Sequence, residues 1–159
     1  MIILWIDPGT TTVWFAVLDK KNFKDFFLID YWVIETTPKI ELKYKLLEIW
    51  EDYLSLIEKY KPELIVVEKL FFTTNLKTWI DVAHSRWLII YEAIKKGIEI
   101  QEYTPLQLKK AIAWNWKATK IQLQNALKII FKLDKIPKPD DAADAIWLAY
   151  MWNLNSKIF

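Results

Sequence analysis

The chain opens with three runs rich in β-branched and aromatic residues, Ile2–Asp7, Thr12–Asp19 and Phe26–Glu35, separated by "DPGT" and "DKKNFKD". These runs predict three strands joined by short turns. The period then changes. Between Lys39 and Tyr60, apolar residues at Leu42, Leu46, Leu47, Ile49, Trp50, Tyr53, Leu54 and Ile57 form a helical stripe. Pro62 separates that helix from "ELIVVEKLFF", a short buried strand with Glu68 at its end. Leu76–Lys96 predicts a second long helix, with Gly97 placed to stop it. "IEIQEY" alternates as a strand, and Pro105 opens a short helix at "PLQLKKAIA". Further helices fit Thr119–Leu133 and the segment after Asp140. The order predicts an α/β domain, a mixed five-stranded sheet flanked by helices, spanning residues 1–159 without repeat, linker or low-complexity segment.

Composition narrows the class. At 159 residues the chain is long enough for a sizeable core. It has no cysteine, which excludes disulfides and thiolate zinc sites and suits a cytoplasmic protein. The apolar start "MIILWIDPG" meets Asp7 too early for a signal peptide or a span, and no later run reaches about 18 uncharged apolar residues, so no membrane partner is expected. The net charge of +2 conceals an uneven distribution. Thr104–Pro139 carries eight lysines against the single acid Asp134, whereas the first sixty residues carry ten acids against seven lysines. A basic flank beside acidic clusters suits a polyanion ligand, although a solvated lysine-rich helix face explains the charge equally well.

"PKPDDAADAIW" then raises a chemical question, because three carboxylates run straight into an apolar helix. Asp140 is a candidate helix cap. Asp141 and Asp144 share a face at i,i+3, but Asp140 and Asp144 share one at i,i+4, so spacing alone leaves the pair open. Asp7 and Glu68 each end a predicted strand, and parallel pairing of those strands would bring them together. Each acid alone has a structural explanation, as turn residue, strand end or cap. Gathered in one pocket they would repel, and would either take up protons or hold cations. All-oxygen ligands favour magnesium or manganese over zinc, and two such ions would clamp a phosphodiester for hydrolysis.

Four blocks, "IDPGTTT", "VVEKLFFTTN", "EYTPLQLKKAI" and "PKPDDAADAI", resemble in order and interval the signature blocks of the RuvC family of Holliday-junction resolvases. The similarity runs over essentially the whole chain. It implies an RNase H-like fold, a homodimer, two Mg²⁺ ions per active site with Mn²⁺ able to substitute, and paired nicking of opposing strands at four-way junction DNA. It also implies a branch-migration complex as partner. By resemblance the catalytic and metal-binding acids fall on Asp7, Glu68, Asp141 and Asp144, which leaves Asp140 as the neighbour. Family contacts to DNA fall on Lys109, Lys120 and the aromatic Phe71, expected to stack on an unpaired base. Phe72 is expected in the core, Lys110 and Lys117 as general backbone contacts or solvated charge, and His84 on a helix surface or interface.

The ten tryptophans and two glycines depart from the family pattern. "LWIDPG" stands where Leu-Gly-Ile-Asp-Pro-Gly is expected, and "AWNWKATK" where the family has a glycine-rich basic loop. Trp14, Trp32, Trp79, Trp87, Trp147 and Trp152 also occupy positions natural for glycine. Such overpacking costs about 1–3 kcal/mol per site. With 21 lysines to one arginine, the pattern suggests an AT-rich genome in which UGA codons meaning glycine were read as tryptophan; a natively Trp-rich variant is the alternative. Rival functions fit less well. Another RNase H-like nuclease would not need "EYTPLQLKKAI" or "PDDAADA", and a non-catalytic junction binder would not need all four acids.

Overall fold

Alternating strands and striped helices assemble into three layers in the computed structural model, which describes residues 1–22, 25–69, 76–103, 120–137, 143, 145, 146, 149 and 150. The strands are β1 (Ile2–Asp7), β2 (Thr12–Lys20), β3 (Phe26–Glu35), β4 (Leu64–Glu68) and β5 (Glu99–Tyr103). They form one five-stranded sheet in the order β3-β2-β1-β4-β5. β1–β2 and β2–β3 are antiparallel, whereas β1–β4 and β4–β5 are parallel, so the sheet is mixed as predicted. The antiparallel half follows from its two short turns. The parallel half requires crossovers, supplied by helices α1 (Leu42–Tyr60) and α2 (Leu76–Lys95).

Strand alternation divides the core in two. Leu4, Ile6, Ile65 and Val67 face α1 and α2, meeting Ile49, Tyr53, Ile57, Ile89 and Ala93. Ile3, Trp5, Leu64 and Val66 face the other way, toward Leu127 of helix α3 (Lys120–Ile130) and toward Ala143, Ala145, Ile146 and Ala149. The last four belong to the segment after Asp140, and the described residues there are helical.

Helix boundaries are where the structure departs from the expected ranges. α1 begins at Leu42 rather than Lys39, because Lys39 is left-handed (φ 64°) and Glu41 is extended, and neither conformation propagates a helix. α2 ends in a Schellman motif, with Gly97 N–H donating to the Ile94 carbonyl and Ile98 N–H to that of Ala93. α3 ends the same way around Lys132 (φ 52°), three residues before the expected Leu133, and no glycine marks the stop. The helix expected at "PLQLKKAIA" lies outside the described residues.

The apolar residues of α2 fall on two faces. Ile90 is buried, only 8% exposed, while Ile80, Trp87, Tyr91 and Ile94 are all more than half exposed, with Ala83 and His84 exposed beside them. Ser85, Ile89, Glu92 and Ala93 form the inward face. One helix therefore packs on the sheet and presents a separate apolar seam outward.

Candidate active site

The paired register carries β1 and β4 side by side through Ile6 and Val67, and one residue further each strand ends in a carboxylate. Asp7 follows Ile3 and Trp5 on one face of β1, and Glu68 follows Leu64 and Val66 on the same face of β4. Both acids thus lie on the side of the sheet covered by α3 and by the described residues around Asp141 and Asp144. The turn after Asp7 is tightly closed. A Cβ on Gly9 would sit 2.0 Å from the Thr12 carbonyl oxygen, so only glycine fits there. Thr36 ties this turn to the end of β3, its hydroxyl donating to the Thr10 carbonyl at 2.9 Å and its N–H to that of Thr11 at 3.0 Å.

The electrostatics of the pair are unfavourable. Burial pushes the Glu68 carboxyl up to about 8, helped by the negative charge of Asp7 and a hydrogen bond between the two side chains. A shared proton relieves the repulsion in the absence of a cation. A hard divalent cation would relieve it more fully, and two carboxylates on fixed strand ends are the donor set such an ion prefers. The described residues therefore fit magnesium or manganese.

Of the other predicted site residues, Lys120 is the first residue of α3, on the same face of the sheet. Phe71, Lys109, Asp141 and Asp144 lie outside the described residues, as do Asp140, Phe72, Lys110 and Lys117. His84 is exposed on α2, as expected for a surface residue. Sequence reasoning missed a group behind the pair. Arg86 Nε donates to the main-chain carbonyl of Glu68 at 3.1 Å, and its guanidinium pairs with the Glu102 carboxylate, which also lies 3.5 Å from Lys69 Nζ. The available signal was that Arg86 is the single arginine beside 21 lysines.

Residues 3–151 match the family model described as crossover junction endodeoxyribonuclease RuvC. The chain is 47% identical over 150 residues to the crossover junction endodeoxyribonuclease RuvC of Petrotoga mobilis, covering 94% of this chain and 91% of that one. It is 38% identical over 156 residues to that of Caldicellulosiruptor saccharolyticus, covering 98% and 94%. Its fold is similar to that of T. thermophilus RuvC, solved in complex with a Holliday junction substrate. The TM-score is 0.81 at 23% identity, covering 99% of this chain and 96% of the other.

Proposed function

The chain belongs to the RuvC family of crossover junction endodeoxyribonucleases, and on that premise we propose that it resolves Holliday junctions with a two-magnesium carboxylate site made of Asp7, Glu68, Asp141 and Asp144. One observation carries this reading. Asp7 and Glu68 meet on adjacent parallel strand ends, and Trp5 and Val66, two residues before them, share a cluster with Ala143 and Ala145. Those alanines flank Asp144, and Asp141 is two residues before the first.

When bound, Mg²⁺ or Mn²⁺ supplies activation of the attacking water and stabilisation of the leaving oxygen. The protein's own contribution is orientation. Asp7 and Glu68 are held on strands, where side-chain positions are better determined than on loops. Lys109 and Lys120 bind phosphates of the junction backbone, and Phe71 stacks on a base opened at the branch point. Cutting two opposing strands calls for two sites related by a two-fold axis. The outward seam of α2, with Ile80, Trp87, Tyr91 and Ile94 exposed, suits a homodimer interface. A branch-migration complex as partner and a cytoplasmic location accord with the family. No described helix is long and apolar enough to cross a membrane.

Cleavage of a synthetic four-way junction tests the metal reading. Mg²⁺ and Mn²⁺ support paired nicks, Ca²⁺ supports binding without efficient cutting, and excess chelator abolishes cleavage. Full activity in chelator would overturn the mechanism.

A further inference from the structure

We propose that Arg86 is a positioning residue, which from behind the sheet fixes the main chain at the end of β4 and so holds the Glu68 carboxylate in place for the reaction. The inference rests on the role given to Glu68 above.

The geometry is that of a planar fork across two strand ends. Nε donates to the Glu68 carbonyl at 3.1 Å, while the Nη2 side of the same guanidinium pairs with Glu102. Glu102 stands next to last in β5, opposite Val67 in the parallel register. One rigid group therefore spans the closing residues of both β4 and β5. The guanidinium is anchored by α2, whose Ile89 and Ala93 are fully buried against the sheet.

Arg86 approaches from the side opposite the carboxylates. Glu102 alternates with Ile100, which packs with the α1 and α2 layer, whereas Glu68 alternates with Leu64 and Val66, which face α3. The arginine is only 17% exposed and already holds an acidic partner. It is therefore placed to act on the glutamate's backbone rather than on DNA. Such a brace has work to do, because Glu68 closes its strand beside another acid. A pair that repels will move apart if its backbone permits, and small misplacements of a reacting group are costly.

The residue type supports the same role. Lysine occupies 21 of the 22 basic positions, and arginine occurs only here. An ammonium is a point charge that cannot present two N–H groups in one plane to a carbonyl and a carboxylate.

The test compares Arg86→Lys, Arg86→Ala and Glu102→Gln in the full-length protein, with Glu68→Gln run in parallel. Four quantities are measured: single-turnover cleavage of a four-way junction, junction affinity in Ca²⁺, Mn²⁺ binding to the free protein by the paramagnetic resonance of unbound ion, and the melting midpoint. Arg86→Lys is expected to slow cleavage and weaken Mn²⁺ binding by about 10–100-fold in total, as losses behind a metal ligand usually do. Junction affinity stays unchanged. Glu102→Gln, which leaves the carbonyl contact in place, loses less.

Three results would overturn the role: Arg86→Lys with parental cleavage and Mn²⁺ binding, a loss confined to junction affinity, or a loss that disappears on cooling well below the variant's melting midpoint. If Glu68→Gln still cuts, the site reading itself fails. If Glu68→Gln is dead while Arg86→Lys is unaffected, only the role of Arg86 fails.

Discussion

Where β1 begins, the Asp19 carboxylate lies 2.6 Å from the Lys21 ammonium and 3.6 Å from the terminal ammonium of Met1, and Ile2 N–H donates to Glu63 at 3.1 Å. The hydrogen bond from Lys21 is the main reason Asp19 is held below its usual range, with burial opposing it. Where β1 and β4 finish, the arrangement is inverted. Glu68 meets burial and a second acid, and its carboxyl rises to about 8. Near that strand end, Arg86 and Lys69 are engaged by Glu102. The same functional group on the same sheet thus faces cations at one end and a second carboxylate at the other. Ion pairs of the first kind contribute little beyond solubility and local order. A destabilised pair of the second kind is what a metal-dependent site requires before its metal arrives.

Substitutions among the carboxylates of the active end should have the strongest consequence. Changing Asp7, Glu68, Asp141 or Asp144 to its amide removes a charge and a ligand at nearly constant size, and should lower junction cleavage by at least about 100-fold, the scale of losing one transition-state stabiliser. Binding should persist, because phosphates are then repelled less. Asp140→Asn serves as the neighbouring control and should cut normally, since asparagine caps about as well as aspartate. An active Asp141→Asn beside a dead Asp140→Asn would move the ligand assignment by one residue.

Substitution in the basic flank should act on affinity instead. Lys109→Ala or Lys120→Ala each removes about 0.9 from the slope of log affinity against log salt, if each lysine neutralises one phosphate. Titrations of a labelled junction at several salt concentrations measure this, and an unchanged slope would remove that lysine from the interface.

Trp5 offers a sharper look at the active end. It is buried two residues before Asp7, and among the described residues its indole N–H has no acceptor. An orphaned buried donor costs about 1–3 kcal/mol. If codon 5 is a UGA meaning glycine, Trp5→Gly should cut junctions at least as fast as the tryptophan form, and the gene should carry UGA at codons 5, 14, 114 and 116. UGG at those codons would end the idea. A tryptophan native to this core would then make Trp5→Gly a cavity variant, weaker by about 3–5 kcal/mol.

The smallest effects are on stability without metal. Glu68 ionises near 4.5 when unfolded but near 8 when folded, so between those values the folded state holds the extra proton. Stability of the metal-free protein should therefore fall as pH rises through that window. Glu68→Gln should flatten the fall, raising the melting midpoint by about 2–4 °C at pH 8 for each kcal/mol relieved, and changing little at pH 4. Asp19 carries the opposite sign. Its lowered carboxyl contributes above its unfolded value and is lost as pH drops, so Asp19→Asn should slightly lower the midpoint at neutral pH and leave cleavage alone. A midpoint that rises with pH for the metal-free parent would contradict the contrast between the two ends.

The elements and the candidate chemistry were legible in the order of residues along the chain. Continuous apolar runs rich in β-branched residues, in Ile2–Asp7 and before Glu68, put an acid at the close of each strand, and four motif blocks in order identified the family. These features are local, set by backbone period and by residues near in sequence. Helix ends were less legible, because Lys39 and Lys132 adopt left-handed conformations with no glycine to announce them. The rest depends on contacts between residues distant along the chain. The parallel register of β1 with β4 joins acids 61 positions apart and turns two ordinary carboxylates into a frustrated pair. Packing of α2 against the sheet buries Ile90 and leaves Ile80, Trp87, Tyr91 and Ile94 as an exposed seam. It also brings Arg86 behind Glu68 and Glu102, a contact between a helix and two strand ends that no sequence period encodes.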